Sequence, residues 1–235
     1  MWAIIEENWL LFLVGQYPHG PIGGLTVTVA LAILGLLLAF PCGLALALAR
    51  ISPYRWLRAP ALAIVYVIRG VPLLMLLFWA YFFVPMVTGH AVSGFTTLLC
   101  ALVIYESAYL SEIIRAGIEG IPAGQTEAAK SLGLGYGATM YKVILPQALY
   151  NMLPSMVGQF VSLIKSTSVG YIISVNEITF AAYQVNNRLL TKPFEVYGLL
   201  ALTFFVLCFA LTRFAKWLEN RIGSKRAGRA AVAAG

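Results

Sequence analysis

Residues Leu25 to Ala49 read LTVTVALAILGLLLAFPCGLALALA, without one charged side chain. A helix rises about 1.5 Å per residue, so about 20 apolar residues cross a hydrocarbon core of about 30 Å. The run is long enough to span a bilayer.

Four further stretches extend the pattern: Ala59 to Val84, interrupted by Arg69; Phe95 to Ile114, with Glu106 and Glu112; Pro154 to Ile173, with Lys165; and the uncharged Val196 to Thr212. Across the chain 60% of residues are hydrophobic and 11% charged, against roughly 25% charged in a soluble domain. The composition predicts an all-α integral membrane protein with five transmembrane helices.

Lys and Arg are retained on the cytoplasmic side of membrane proteins. Arg50, Arg55 and Arg58 fall between spans one and two, Arg115, Lys130 and Lys142 between three and four, and six more follow span five. The opposite loops hold only Arg188 and Lys192. This predicts the N-terminus outside and the C-terminus cytoplasmic. Residues 1–20 read as a periplasmic or interfacial segment, with Trp2 and Trp9 at the interface and Glu6 and Glu7 where a cleavable leader needs positive charge. Residues 21–222 form the membrane domain, with a cytoplasmic loop at 117–153, and 223–235 a basic, flexible tail. The net charge of +7 follows the membrane flanks instead of lining a nucleic-acid groove, and the polybasic tail suits anionic membrane lipid.

Cys42, Cys100 and Cys208 lie in apolar runs without metal-ligand spacing, and His19 and His90 are isolated, so no metal site is expected. No nucleophile–base set marks a catalytic site, and no GxxxxGK[ST] segment marks an ATPase. An odd span count without an internal repeat points to half of a solute path, completed by a second membrane subunit.

The longest cytoplasmic connection reads GIEGIPAGQTEAAKSLGLGYGATMYKVILPQALYNMLP. Glu127 to Leu132 favour helix, three glycines break it between Gly133 and Gly137, and Ala138 to Leu145 resume it until Pro146. Ala128, Ala129 and Leu132 are expected on one small apolar face that could enter a partner's groove.

Glu127-Ala128-Ala129, then Gly133, then Val143-Ile144-Leu145-Pro146 resembles the EAA loop of ABC importer permeases, with Val143 in place of the usual isoleucine. Ala108 to Arg115, Gly124-Gln125, Arg69 to Leu73 and Lys165 to Ser168 resemble the polar amino acid subfamily. The resemblance covers about residues 22–222. It implies a type I ABC importer (MetI-like) permease fold in a prokaryotic inner membrane. It also implies an ATPase dimer that binds ATP and Mg on its own subunits, a second permease and a periplasmic amino-acid-binding protein. By the same resemblance Glu127, Ala128, Ala129, Gly133, Leu145 and Pro146 belong to the ATPase contact.

A charge near the bilayer centre costs at least about 2.5 kcal/mol, so each needs a partner or an aqueous cavity. Helix counting puts Arg69, Glu106 and Lys165 near one level. Arg69 and Lys165 could hold a carboxylate and Glu106 an ammonium, with the hydroxyls of Ser166, Thr167 and Ser168 beside them. A buried Arg69–Glu106 pair without solute contact is the competing reading. Pro72 is expected to free the Ile68 carbonyl at the same depth. The family more often has aspartate where this chain has Ser166. The surplus cation leans toward glutamate or aspartate as substrate. Glu112 and Arg115, at i and i+3, read as a structural ion pair, and Glu177 as facing the pore mouth or an external protein. An ATP-independent channel or facilitator for small polar solutes is the alternative function.

Overall fold

In lipid a backbone can satisfy its polar groups only within a helix or a closed barrel, and this chain is helical nearly throughout. The structure, a computed structural model, describes the backbone of residues 2–233 and the side chains of residue 2 and of residues 4–221. The side chains of the tail expected at 223–235 therefore lie outside the described residues.

Helix α1 (Trp2–Val14) leads through a loop to α2 (Gly24–Ile51), the first span. Next come α3 (Arg55–Gly70), α4 (Leu73–Phe78), a π-helical turn at Trp79–Phe83 and α5 (Val84–Thr88). Span three is α6 (Gly94–Glu119), started by Ser93, whose hydroxyl accepts from the Thr96 amide at 3.2 Å. Short α7 (Ala123–Ser131) and α8 (Tyr136–Thr139) precede a π-helical turn at Met140–Ile144, α9 (Leu145–Ser166) and a 3₁₀ turn at Thr167–Ile173. The chain closes with α10 (Ile178–Leu189) and α11 (Pro193–Ala233). Among the described residues four helical segments are long and apolar enough to cross a membrane, and five when the bent α3–α4 pair counts as one span.

The second span departs from the straight helix expected over Ala59 to Val84. It bends by 101° between Gly70 and Leu73, because Pro72 has no amide hydrogen to continue α3 and pushes Val71 out of helical geometry. Pro72 caps α4 from outside, while the Val71 amide donates to the Ile68 carbonyl at 3.4 Å. That carbonyl is thus occupied, contrary to expectation. Span four also differs: α9 continues through Pro154, its first turn lying well before that residue.

Spans α2 and α6 lie side by side and parallel, and they approach each other closely at Gly43. A Cβ there would sit 2.9 Å from Leu110 Cβ and 3.1 Å from the Ser107 carbonyl. Only glycine admits that approach, the small-residue packing typical of helices in lipid. Helix α9 runs antiparallel to α6, with Met152 against Gly117, Gln159 against Glu106 and Gly170 against Leu98. Leu31, Leu77, Leu98, Leu102, Leu163 and Ile164 fill the centre. Phe204, Leu207, Cys208 and Leu211 of α11 pack against them, and most of that helix remains free for lipid. A satellite core of Ile4, Phe12, Ile178, Val185 and Val196 ties α1 to α10 and α11.

Candidate functional site

The loop between α6 and α9 is a helix, a turn and a second helix, as its sequence predicts. Helix α7 ends at Ser131, and Gly133 then adopts φ +76°, a left-handed conformation that glycine reaches without steric cost. Its amide donates to the Lys130 carbonyl at 2.9 Å and that of Leu134 to the Ala129 carbonyl at 3.1 Å, closing the turn. Glu127, Ala128 and Gly133 are exposed, and Leu132 is 81% exposed. Ala129, by contrast, is buried against the chain's own helices. The three-residue apolar face expected from spacing is therefore split: Ala129 anchors α7, while Ala128 and Leu132 point away from the protein. Tyr136 and Tyr141 enlarge the exposed apolar surface, a contribution that the helix pattern alone did not single out.

Pro146 does not end the second helix. It occupies the first turn of α9, where its missing amide hydrogen would have had no partner anyway, and the π-helical turn at Met140–Ile144 runs directly into it. Leu145 is half-buried and Pro146 exposed. Gln147 donates to Gln125 at 3.2 Å, tying α9 back to α7.

Arg69, Glu106 and Lys165 are not brought to one level. The Arg69 guanidinium lies 3.5 Å from Glu112 and stacks over the Tyr109 ring at 5.2 Å, so the alternative Arg69–Glu106 pair does not form. Glu112 also accepts from Arg50 at 2.7 Å and from Arg115, and Arg115 reaches Glu119. The expected Glu112–Arg115 pair is part of this five-residue cluster joining α2, α3 and α6. Arg50 was missed because its position at the end of a span reads only as an orientation marker. Glu106 is 1% exposed and accepts from Gln159 Nε2 at 2.6 Å, and its other oxygen has no partner among the described residues. Six positions separate Glu106 from Glu112 on α6, and six separate Gln159 from Lys165 on antiparallel α9. At about 1.5 Å per residue the three charges spread over about 18 Å of bundle length. Arg69 lies at the end of α3, just before the bend, and sits at the level of Glu112, not of Glu106.

Lys165 is exposed, and Ser166 is half-buried at the end of α9. The Thr167 and Ser168 hydroxyls donate to the carbonyls of Ile164 at 2.8 Å and Lys165 at 2.7 Å, so their donors are spent on their own backbone.

Glu177, between the fourth and fifth spans, faces neither a pore mouth nor an external surface. It is fully buried and caps α10, accepting from the Thr179 and Phe180 amides, each at 2.9 Å. Burial pushes its carboxyl up to about 7 against the opposing pull of those amides. The native chain then holds a proton, in the window from 4.5 to about 7, that the unfolded chain has released, so stability falls as pH rises through it. Thermal unfolding of the purified protein is expected to shift down between about pH 5 and pH 8, by about 2–4 °C for each kcal/mol lost. Glu177→Gln should flatten that dependence; an equal slope in both proteins would show that Glu177 is not its source.

Comparison with known proteins adds three findings. A family model described as "Binding-protein-dependent transport system inner membrane component" matches residues 39–224. The inner membrane amino-acid ABC transporter permease protein YhdY of Escherichia coli is 36% identical over 96% of this chain, which spans 64% of YhdY. The probable glutamine ABC transporter permease protein GlnP of Bacillus subtilis is 36% identical over 84% of this chain and 91% of its own length. Other relatives at 33–35% identity are named for arginine, glutamate and L-cystine transport. Among solved structures, an amino acid ABC transporter crystallised with histidines matches with a TM-score of 0.78 and 34% identity, covering 84% of this chain and 92% of the other.

Proposed function

We propose a function for this chain from one premise: it belongs to the family of binding-protein-dependent transport system inner membrane components, as an amino-acid ABC transporter permease. On that premise it forms half of a path for polar amino acids across the inner membrane, its N-terminus outside and its C-terminus in the cytoplasm. A second permease, identical or related, completes the path. A separate ATPase dimer binds ATP and Mg, and an external binding protein delivers the solute.

The observation that carries the coupling role is the geometry of the loop. Glu127, Ala128, Leu132 and Gly133 project from a turn anchored by Ala129, and the same loop joins α6 directly to α9. A push on the projecting surface reaches the Glu106–Gln159 contact between those helices without passing through another element. Leu145 and Pro146 act as the rigid start of α9 in this reading. The acidic preference counted Arg69 and Lys165 against Glu106. In the fold Arg69 faces Glu112, so that count no longer applies. Relatives named for glutamine, arginine, glutamate and cystine fit a polar amino acid without the acidic restriction.

Reconstituting the chain with its ATPase and binding protein tests this. Polar amino acids should stimulate ATP hydrolysis and uptake together. Uptake at an undiminished rate without ATP would replace the reading with a facilitator.

A further inference from the structure

The cleft between α2, α3 and α6, at the end marked by Arg50, has no part in the coupling loop. It measures about 380 Å³, and its lining includes Arg50, Tyr66, Arg69, Glu112, Arg115 and Glu119. Three guanidinium groups thus face two carboxylates. Glu112 is already divided: one oxygen accepts from Arg50 and the other from Arg115, leaving Arg69 a 3.5 Å approach to an oxygen in use. Glu119 serves Arg115. The side chain of Arg50 is 6% exposed, and its Nε has no hydrogen-bond partner among the described residues. The Nε of Arg115 is likewise buried without a partner among the described residues, so one positive charge and two buried donors are left over in a cleft with room for an anionic group.

The surface beside the cleft says what kind of anion it would be. On α3, Trp56, Ile64 and Val67 recur at helical spacing and are all exposed, with Tyr66 next to them. An inorganic anion or a free amino acid would leave that stripe bare. We propose that the cleft binds the phosphate of an anionic phospholipid, with its acyl chains along the exposed stripe of α3. Basic pockets between membrane helices at the cytoplasmic face commonly take such headgroups. The bound lipid would hold α3, the first half of the bent span, to α2 and α6, a role independent of which solute is carried.

Native mass spectrometry of the complex of this chain with its ATPase, released from nanodiscs of phosphatidylglycerol and phosphatidylcholine, reads the site directly. The unmodified complex should retain phosphatidylglycerol in preference to phosphatidylcholine. Arg69→Gln should reduce that retention about five-fold, the factor corresponding to about 1 kcal/mol per cation. Arg55→Gln, on an exposed arginine outside the cleft lining, should leave it unchanged. Glu112→Gln separates lipid binding from mere damage to the cluster, because removing a competing carboxylate should raise retention, whereas a collapsed cleft would lower it. Equal retention by Arg69→Gln and the unmodified complex would overturn the proposal. So would lower retention in Glu112→Gln, or complete displacement of the lipid by millimolar inorganic phosphate or glutamate, which would assign the cleft to a small anion.

Discussion

Replacing Gly133 with arginine is expected to abolish ATP-driven uptake and release the ATPase while the membrane-embedded helices stay folded. The spans are spared because a Cβ at Gly133 would meet no atom within 4 Å. The remaining intrinsic cost is a non-glycine residue at φ +76°, roughly 1–2 kcal/mol, borne by a surface turn that carries no core contacts. The interface fares worse. If a partner groove closes over Ala128 and Leu132 as proposed, a guanidinium placed there is a buried charge without a counter-charge, worth about 3 kcal/mol or more, which is about 100-fold in affinity. Co-purification of the ATPase and uptake into proteoliposomes should fall together. Gly133→Asn, which tolerates the left-handed region, should retain most of both. Normal coupled uptake by Gly133→Arg would remove the coupling role from this turn.

The loop was readable in sequence because its signals are local. Three glycines break a helix wherever they occur, and the alternation of helix formers and breakers between Glu127 and Leu145 survives into the fold. Which side of α7 stays exposed was not local: Ala128 and Ala129 are the same residue type one position apart, and only tertiary packing of α7 on the rest of the chain decides that the second is buried. The spans were legible for the reason that makes hydropathy work, since lipid admits little besides continuous helix. The exception is the span containing Arg69-Gly70-Val71-Pro72. The proline announces a break, but not its 101° size. Glu106 was readable as a buried charge needing a partner. Gln159, a neutral residue 53 positions away, gave no sign of being that partner.

That partnership gives the second large expected effect. Gln159→Leu removes the hydrogen bond that Glu106 accepts at 2.6 Å and leaves both carboxyl oxygens without a donor in a site 1% exposed. Leucine is close to glutamine in volume, so the change adds little strain of its own. A buried charge stripped of its partner costs about 3–5 kcal/mol, and a neutral buried group about 1–3 kcal/mol. At about 2–4 °C per kcal/mol, the thermal midpoint of the purified protein should drop by several degrees or more. The double variant Gln159→Leu/Glu106→Leu should recover at least half of that loss, because replacing both members of a polar pair leaves nothing unsatisfied. A Gln159→Leu protein as stable as the original would mean that water supplies the donor. Full uptake by a stable double variant would make the pair a packing device alone. Stability restored with uptake still lost would tie the α6–α9 contact to the movement proposed for the loop, since those two helices carry its ends and meet at this pair.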